Sequence, residues 1–198
     1  KAIGRLLAEL ERLGLRENTL IIFASDNGAA KQAPIEGLGC NGELRGMKGM
    51  LYEGGIRVPF IVNWPGHVPE QQLDNLVYFP DVMPTLAAVA GASEYLPTRR
   101  DGMNLWPLIQ GEKLDTDDRL LYWEFPGKQR AARRGDWKVV SVKKNMPLEL
   151  YNIKEDVSES LDLAEQYPDM VAEFERQMEQ ARTPSPNWPL PGEKHDKE

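Results

Sequence analysis

The 198 residues carry 31 acidic against 24 basic side chains, a net charge of −7, with 41% hydrophobic and 28% charged residues. That balance describes a globular chain able to bury a real core, at the upper edge of one ordinary domain. It excludes a nucleic-acid partner, because phosphate backbones demand clustered Lys and Arg; the short basic group Arg130, Arg133, Arg134 is local and reads as a solvated edge.

No apolar run reaches the length of a membrane span, and no signal peptide is present. A single cysteine, Cys40, excludes an intramolecular disulfide and leaves the redox compartment open. The opening residues already read as a helix interior, so the chain is expected to begin within a longer protein.

Ile3, Leu6, Leu7, Leu10 and Leu13 recur at spacings of three and four and predict an amphipathic helix ended by Gly14. Leu20 to Ala24 is apolar without alternation, the pattern of a strand covered on both faces. Helix, brief turn and buried strand predict an α/β layer architecture. From Gly28 to Gly49 the chain loses periodicity and reads as a long loop of the length that usually carries function or disorder. Val58 to Trp64 predicts a second buried strand with Pro59 at its start, closed by Pro65-Gly66. A helix is expected over Leu76 to Ala90, ended by Gly91.

Composition changes near Leu96, and Arg99 to Lys113 reads as an irregular connection. Leu120–Phe125, Arg130–Arg134, Trp137–Val142 and Glu149–Tyr151 are short strand candidates separated by turn residues. Leu161 to Gln180 carries a partial apolar stripe and predicts a helix packed on a small antiparallel sheet. The expected organisation is an α/β region over 1–95, an α+β region over 96–181, and an extended or disordered tail over 182–198.

Asp26 and Asn27 directly follow the first strand, where ligands collect in α/β sheets. Their carboxylate and amide oxygens are hard ligands suited to calcium or magnesium, although Asp-Asn-Gly is also the composition of a plain turn. Two oxygens cannot fill a calcium shell, so such a site needs ligands from elsewhere. Lys48, between Gly46 and Gly49, can present a compact cation to an anion. Arg45 and Arg57 have similar chemistry, but with Glu43 and Glu53 close in sequence they read equally as structural pairs. His67 and His195 are too few and too separated for a zinc cluster. Cys40 lacks a nearby histidine base.

The run Ser25-Asp26-Asn27-Gly28, the Gly46-Met47-Lys48-Gly49 segment and Tyr52-Glu53-Gly54-Gly55-Ile56-Arg57-Val58-Pro59 together resemble the second half of a type I sulfatase. Leu150-Tyr151-Asn152-Ile153-Lys154-Glu155-Asp156 is similar to that family's carboxyl-terminal signature, departing from it at Asn152 and Val157 in a way expected to alter a turn. The resemblance runs to about Phe174. It implies a partial sulfatase/alkaline-phosphatase-like sheet-and-helix layer, followed by a small antiparallel sheet with a C-terminal helix. Asp26 and Asn27 would be two ligands of an active-site calcium, with magnesium as a variant, and Lys48 would bind the sulfate group.

The family's nucleophile is a formylglycine made from a Cys- or Ser-x-Pro-x-Arg motif, and neither Cys40 nor Ser185 stands in one. The resemblance therefore implies a sulfate ester hydrolase whose nucleophile and remaining ligands come from a missing N-terminal half, with this chain inactive alone. Its parent is expected to be exported, periplasmic or secreted. The competing readings are a phosphodiesterase or phosphonate hydrolase of the same superfamily, and a non-catalytic module derived from a sulfatase. A sheet lacking neighbours also exposes a pairing edge, so self-association of the chain is expected.

Overall fold

In chain order the elements are α1 (Ala2–Arg12), β1 (Ile21–Ala24), α2 (Glu53–Ile56), β2 (Phe60–Asn63), α3 (Val82–Val89), α4 (Trp106–Ile109), β3 (Leu121–Phe125), β4 (Gln129–Arg134), β5 (Trp137–Ser141), β6 (Glu149–Asn152) and α5 (Pro168–Ala181). The computed structural model describes residues 1–30, 41–125, 129–142 and 146–185. Cys40, His195 and the tail beyond residue 185 lie outside the described residues, and with them the expectations they carried. The chain divides into two units, one of residues 1–24 and 59–116, the other of residues 25–58 and 117–198.

In the first unit α1 forms over the predicted stripe, yet none of its side chains is buried. β1 pairs antiparallel with β2, Ile21 facing Asn63 and Ala24 facing Phe60. The strand expected to be covered on both faces is not: Phe23 and its register partner Ile61 are 43% and 56% exposed. Residues directly opposite in a ladder share a face, so one face of this ribbon is open among the described residues. An apolar run signals a strand able to be covered twice; it does not supply the cover.

The other face, with Ile22 and Val62, meets Val82, Leu105 and Ile109. A core of Leu105, Leu108 and Ile109 forms beneath it. The helix expected from Leu76 starts only at Val82, after a 3₁₀ turn over Phe79–Asp81. Pro80 and Pro84 fall where a missing N–H costs nothing, at the entry and in the first helical turn. α4 arises inside the connection expected to be irregular.

The second unit is built on a four-stranded antiparallel meander in the order β3-β4-β5-β6. Adjacent side chains of a strand point to opposite faces, and the core residues sort accordingly. Ala132, Val139 and Leu150 pack with Phe174 and Met178 of α5. Ala131, Val140 and Tyr151 pack with Leu51, Tyr52 and Ile153 on the opposite face. The sheet is thus covered twice, by α5 and by the segment leading into α2.

All four strand candidates and the helix behind them are present. α5 starts at Pro168 rather than near Leu161, because Asp156 and Asp162 divert the preceding backbone into turns. Asp156 accepts from the amides of Ser160 and Leu161 and from the hydroxyls of Ser158 and Ser160. Asp162 accepts from the amides of Leu150 and Ala164. The architecture is α/β, with the expected small antiparallel sheet and C-terminal helix.

Candidate functional site

The loop expected from Gly28 to Gly49 is folded at both ends onto α2. Gly28 donates its amide to Gly55 O at 2.9 Å, and Lys48 donates its amide to Ala29 O at 3.0 Å. Asn41 bridges the two sides, its side chain accepting from the Ala29 amide and donating to Gly46 O. Gly54 donates to Arg45 O at 2.7 Å. Asp26-Asn27-Gly28 and the turn holding Lys48 are therefore stitched to one four-residue helix. The sequence placed these residues in one site, and the backbone brings their segments together within one unit.

Gly28 serves here through close approach. Its φ is not in the left-handed region, but a Cβ on it would lie 1.8 Å from Gly54 O. Glycine is required at this position for contact. Gly54 and Gly55 are under the same constraint from the other side: a Cβ on Gly54 would sit 2.5 Å from Arg45 O, and one on Gly55 2.0 Å from Met50 O. Both glycines belong to α2.

Asp26 and Lys48 present exposed side chains, and Asn27 is half-buried. The Asn27 side-chain nitrogen donates to Gly28 O at 3.0 Å, which orients the amide so that Oδ1 is its group suited to a cation. Ser25 Oγ donates to Asn27 O and tightens the turn. A carboxylate and an amide oxygen fit a hard divalent ion as part of its shell, and the glycine contact to α2 holds them in a fixed turn. Among the described residues no group of three or more His, Cys, Asp or Glu side chains could hold a metal ion. Two such oxygens make up only part of a calcium shell.

Beneath the site lies a polar network that sequence reading missed. Lys138, on β5, is wholly buried; its Nζ lies 2.9 Å from Glu53 Oε1 and 2.8 Å from Glu159 Oε1. Glu159 also accepts from the Glu53 amide at 2.7 Å. Arg133 and Arg57 approach Glu53 Oε2 at 3.3 and 3.6 Å. Burial pushes the Glu53 carboxyl up, but Lys138 and Arg133 outweigh it and hold the group below the usual carboxylate range. For Glu159 burial prevails over Lys138 and its carboxyl is raised. Glu159 also has φ of 52°, the one left-handed non-glycine residue among those described, at a cost of about 1–2 kcal/mol.

A second branch joins Arg45, Tyr52, Tyr151 and Glu149. Both phenols donate to Glu149 Oε2, and Arg45 donates to the Tyr151 hydroxyl and Glu159 O. Arg45 also lies over the Tyr52 ring at 4.0 Å. Reading Arg57 as paired with Glu53 holds, whereas Arg45 finds Glu149 at 3.8 Å rather than Glu43. Period-two alternation places Arg133, Lys138, Glu149 and Tyr151 on the sheet face that meets α2. The signal available in sequence was Lys138 itself, a charge beside Val139-Val140 in an otherwise apolar strand. Asn152 ends β6 and accepts from the amides of Lys154 and Glu155, bracing the turn that follows. His67 is exposed and stacks on Trp64.

The sulfatase family profile matches residues 1–92. Arylsulfatase A of Homo sapiens is 41% identical over 142 residues, covering 69% of this chain and 27% of its own length. A sulfatase of Formosa agariphila is 32% identical over 195 residues, covering 85% of this chain and 34% of its own length. The chain thus spans about a quarter to a third of these relatives. Among solved structures, a Bacteroides thetaiotaomicron protein from a core genetic locus for the metabolism of multiple glycosaminoglycans superimposes with a TM-score of 0.79 at 27% identity. That match covers 90% of this chain and 42% of the other. With the family profile on the site-bearing segments and the likeness continuing through the antiparallel sheet, the chain belongs to the sulfatase family.

Proposed function

We propose that this chain is the carboxyl-terminal portion of a hydrolase that cleaves sulfate monoesters, and that it contributes part of the site that holds the sulfate group. The observation that carries the reading is the shared platform. α2 fastens the Asp26–Gly28 turn through Gly55 O and the Lys48 turn through Arg45 O. Lys48 presents its ammonium to the sulfate oxygens as a point charge, binding the group and offsetting the charge that grows on it as the ester bond breaks. Asp26 and Asn27 would hold calcium, or magnesium in its place. When bound, that ion supplies positive charge towards the same oxygens.

The nucleophile, a formylglycine, and the remaining cation ligands come from an N-terminal half, and the chain alone does not turn over substrate. The sulfate reading is favoured over phosphodiester or phosphonate hydrolysis by the family profile and by relatives named as sulfatases.

The test is Lys48→Ala in the longer polypeptide, assayed on an aryl sulfate. Loss of one charged contact to a transferring group lowers kcat/KM by roughly 100-fold. Unchanged turnover with a folded protein would remove Lys48 from the site, and turnover of phosphodiesters in preference to sulfates would replace the substrate class.

A further inference from the structure

The buried network beneath α2 is larger than an ion pair needs to be, and its members converge on one element. Lys138 enters from β5, Glu159 from the loop after β6 and Arg133 from β4, and all three meet Glu53, the first residue of α2. Glu159 reaches α2 directly, by accepting from the Glu53 backbone amide, and indirectly, through Lys138 of β5, which also pairs with the Glu53 carboxylate. Glu159 itself has φ of 52°, in a turn where Asp156 accepts four bonds from Ser158, Ser160 and Leu161.

A backbone kept in that region by its surroundings places one side chain where an unstrained loop would not. Lys138 is wholly buried, and a buried charge is tolerated only when it is paired and hydrogen-bonded. For stability alone, an apolar residue of similar volume would do as well. What the charges add is direction: they fix the height and rotation of α2 against the sheet.

We propose that Lys138 and Glu159 are positioning residues for the sulfate site, holding α2 through Glu53 so that the Asp26–Asn27 turn and Lys48 keep their relative placement. The coupling path is short and made of backbone contacts. A shift of α2 carries Gly54 and Gly55 with it. Gly28 cannot slide past them because a Cβ-sized gap does not exist between them, and the 45–48 turn follows through the Gly54-to-Arg45 bond. The inference rests on the sulfatase reading for its functional consequence, but not for its structural one.

The decisive variant is Lys138→Met, which keeps length and removes the charge. Lys138→Arg is the conservative rescue, and the exposed α5 pair provides a control in Glu173→Gln. Amide hydrogen exchange reads Gly28, Lys48 and Gly54 against the β4–β5 ladder, and steady-state kinetics of the longer polypeptide read the site. Lys138→Met is expected to speed exchange at those three amides by about 10-fold or more while the ladder stays protected. It should lower kcat/KM by roughly 10- to 100-fold, the range for groups that orient ligands from behind, with Lys138→Arg recovering most of both.

Uniformly faster exchange, or none, would overturn the proposal, since a merely stabilising pair loosens the sheet as much as the site. Should Lys138→Met fail to fold, Glu159→Gln, of matched size, is read by the same two measurements. If Lys48→Ala leaves sulfate turnover intact while the three amides still respond, the network's hold on α2 stands and Lys48 leaves the sulfate site; if phosphodiesters are turned over in preference to sulfates, the hold stands and the sulfatase reading falls. If Lys48→Ala abolishes turnover and the amides do not respond, Lys48 keeps its place and the hold falls.

Discussion

Replacing Gly28 by alanine tests the contact on which the site is assembled. The added Cβ would lie 1.8 Å from Gly54 O, 2.7 Å from its carbonyl carbon and 3.1 Å from Gly55 Cα, all backbone atoms that no rotamer change can move. Ordinary non-bonded approach is about 3.5 Å, so the turn and α2 must part by about 1.7 Å.

That movement takes the Gly28-to-Gly55 bond, now 2.9 Å, out of hydrogen-bond range, forfeiting about 1 kcal/mol. Forced repacking adds roughly 1–3 kcal/mol. With a total near 3 kcal/mol, the melting temperature of the chain should fall by about 6–12 °C, read by circular dichroism, with faster exchange of the Gly28 amide. Gly4 in α1 has open space where its Cβ would go, and alanine there should be neutral or slightly stabilising. A Gly28→Ala protein that melts with the parent and keeps its Gly28 amide protected would refute the contact, and with it the shared platform.

Stability should also fall at alkaline pH. Burial, followed by the hydrogen bond to Glu149, pushes the Tyr52 and Tyr151 phenols well above their ordinary value of 10.0. Below that value both states hold the proton and the contribution is whole; as pH rises past it, the unfolded chain ionises first and the contribution is progressively lost. Urea midpoints should therefore drop between about pH 9 and about pH 11, less steeply in a Tyr52→Phe, Tyr151→Phe double variant; equal slopes would contradict the assignment.

The open face of β1 and β2 should drive self-association of the chain, since Phe23 and Ile61 lie side by side on it with both outer strand edges unpaired among the described residues. Light scattering should show dimers or larger species that Ile61→Lys dissociates; a chain that is monomeric at every concentration would contradict this.

Periodicity and punctuation carried the local structure. The stripe at Ile3, Leu6, Leu7 and Leu10 made α1, and the turn residues between the short strand candidates delimited the meander. Asp26, Asn27 and Lys48 stand out as candidates because their motifs lie in short contiguous segments, and hard oxygens and a lysine advertise their chemistry without a fold. Helix starts were less legible: Leu161 continues an apolar stripe, but Asp156 and Asp162 capture the backbone into turns before Pro168 can open α5.

The tertiary structure alone decided the rest. That Gly28 is needed for contact rather than for a turn depends on Gly54, 26 positions away. That Glu53, Lys138 and Glu159 form one network depends on the sheet bringing β5 and the loop after β6 under α2. Propensity and hydrophobic period act over a few residues, whereas the pairing of buried charges is set by which distant segments share a low-dielectric space. The chain alone names candidate groups for an anion and a cation, and the fold shows which distant residues pack against the segments that carry them.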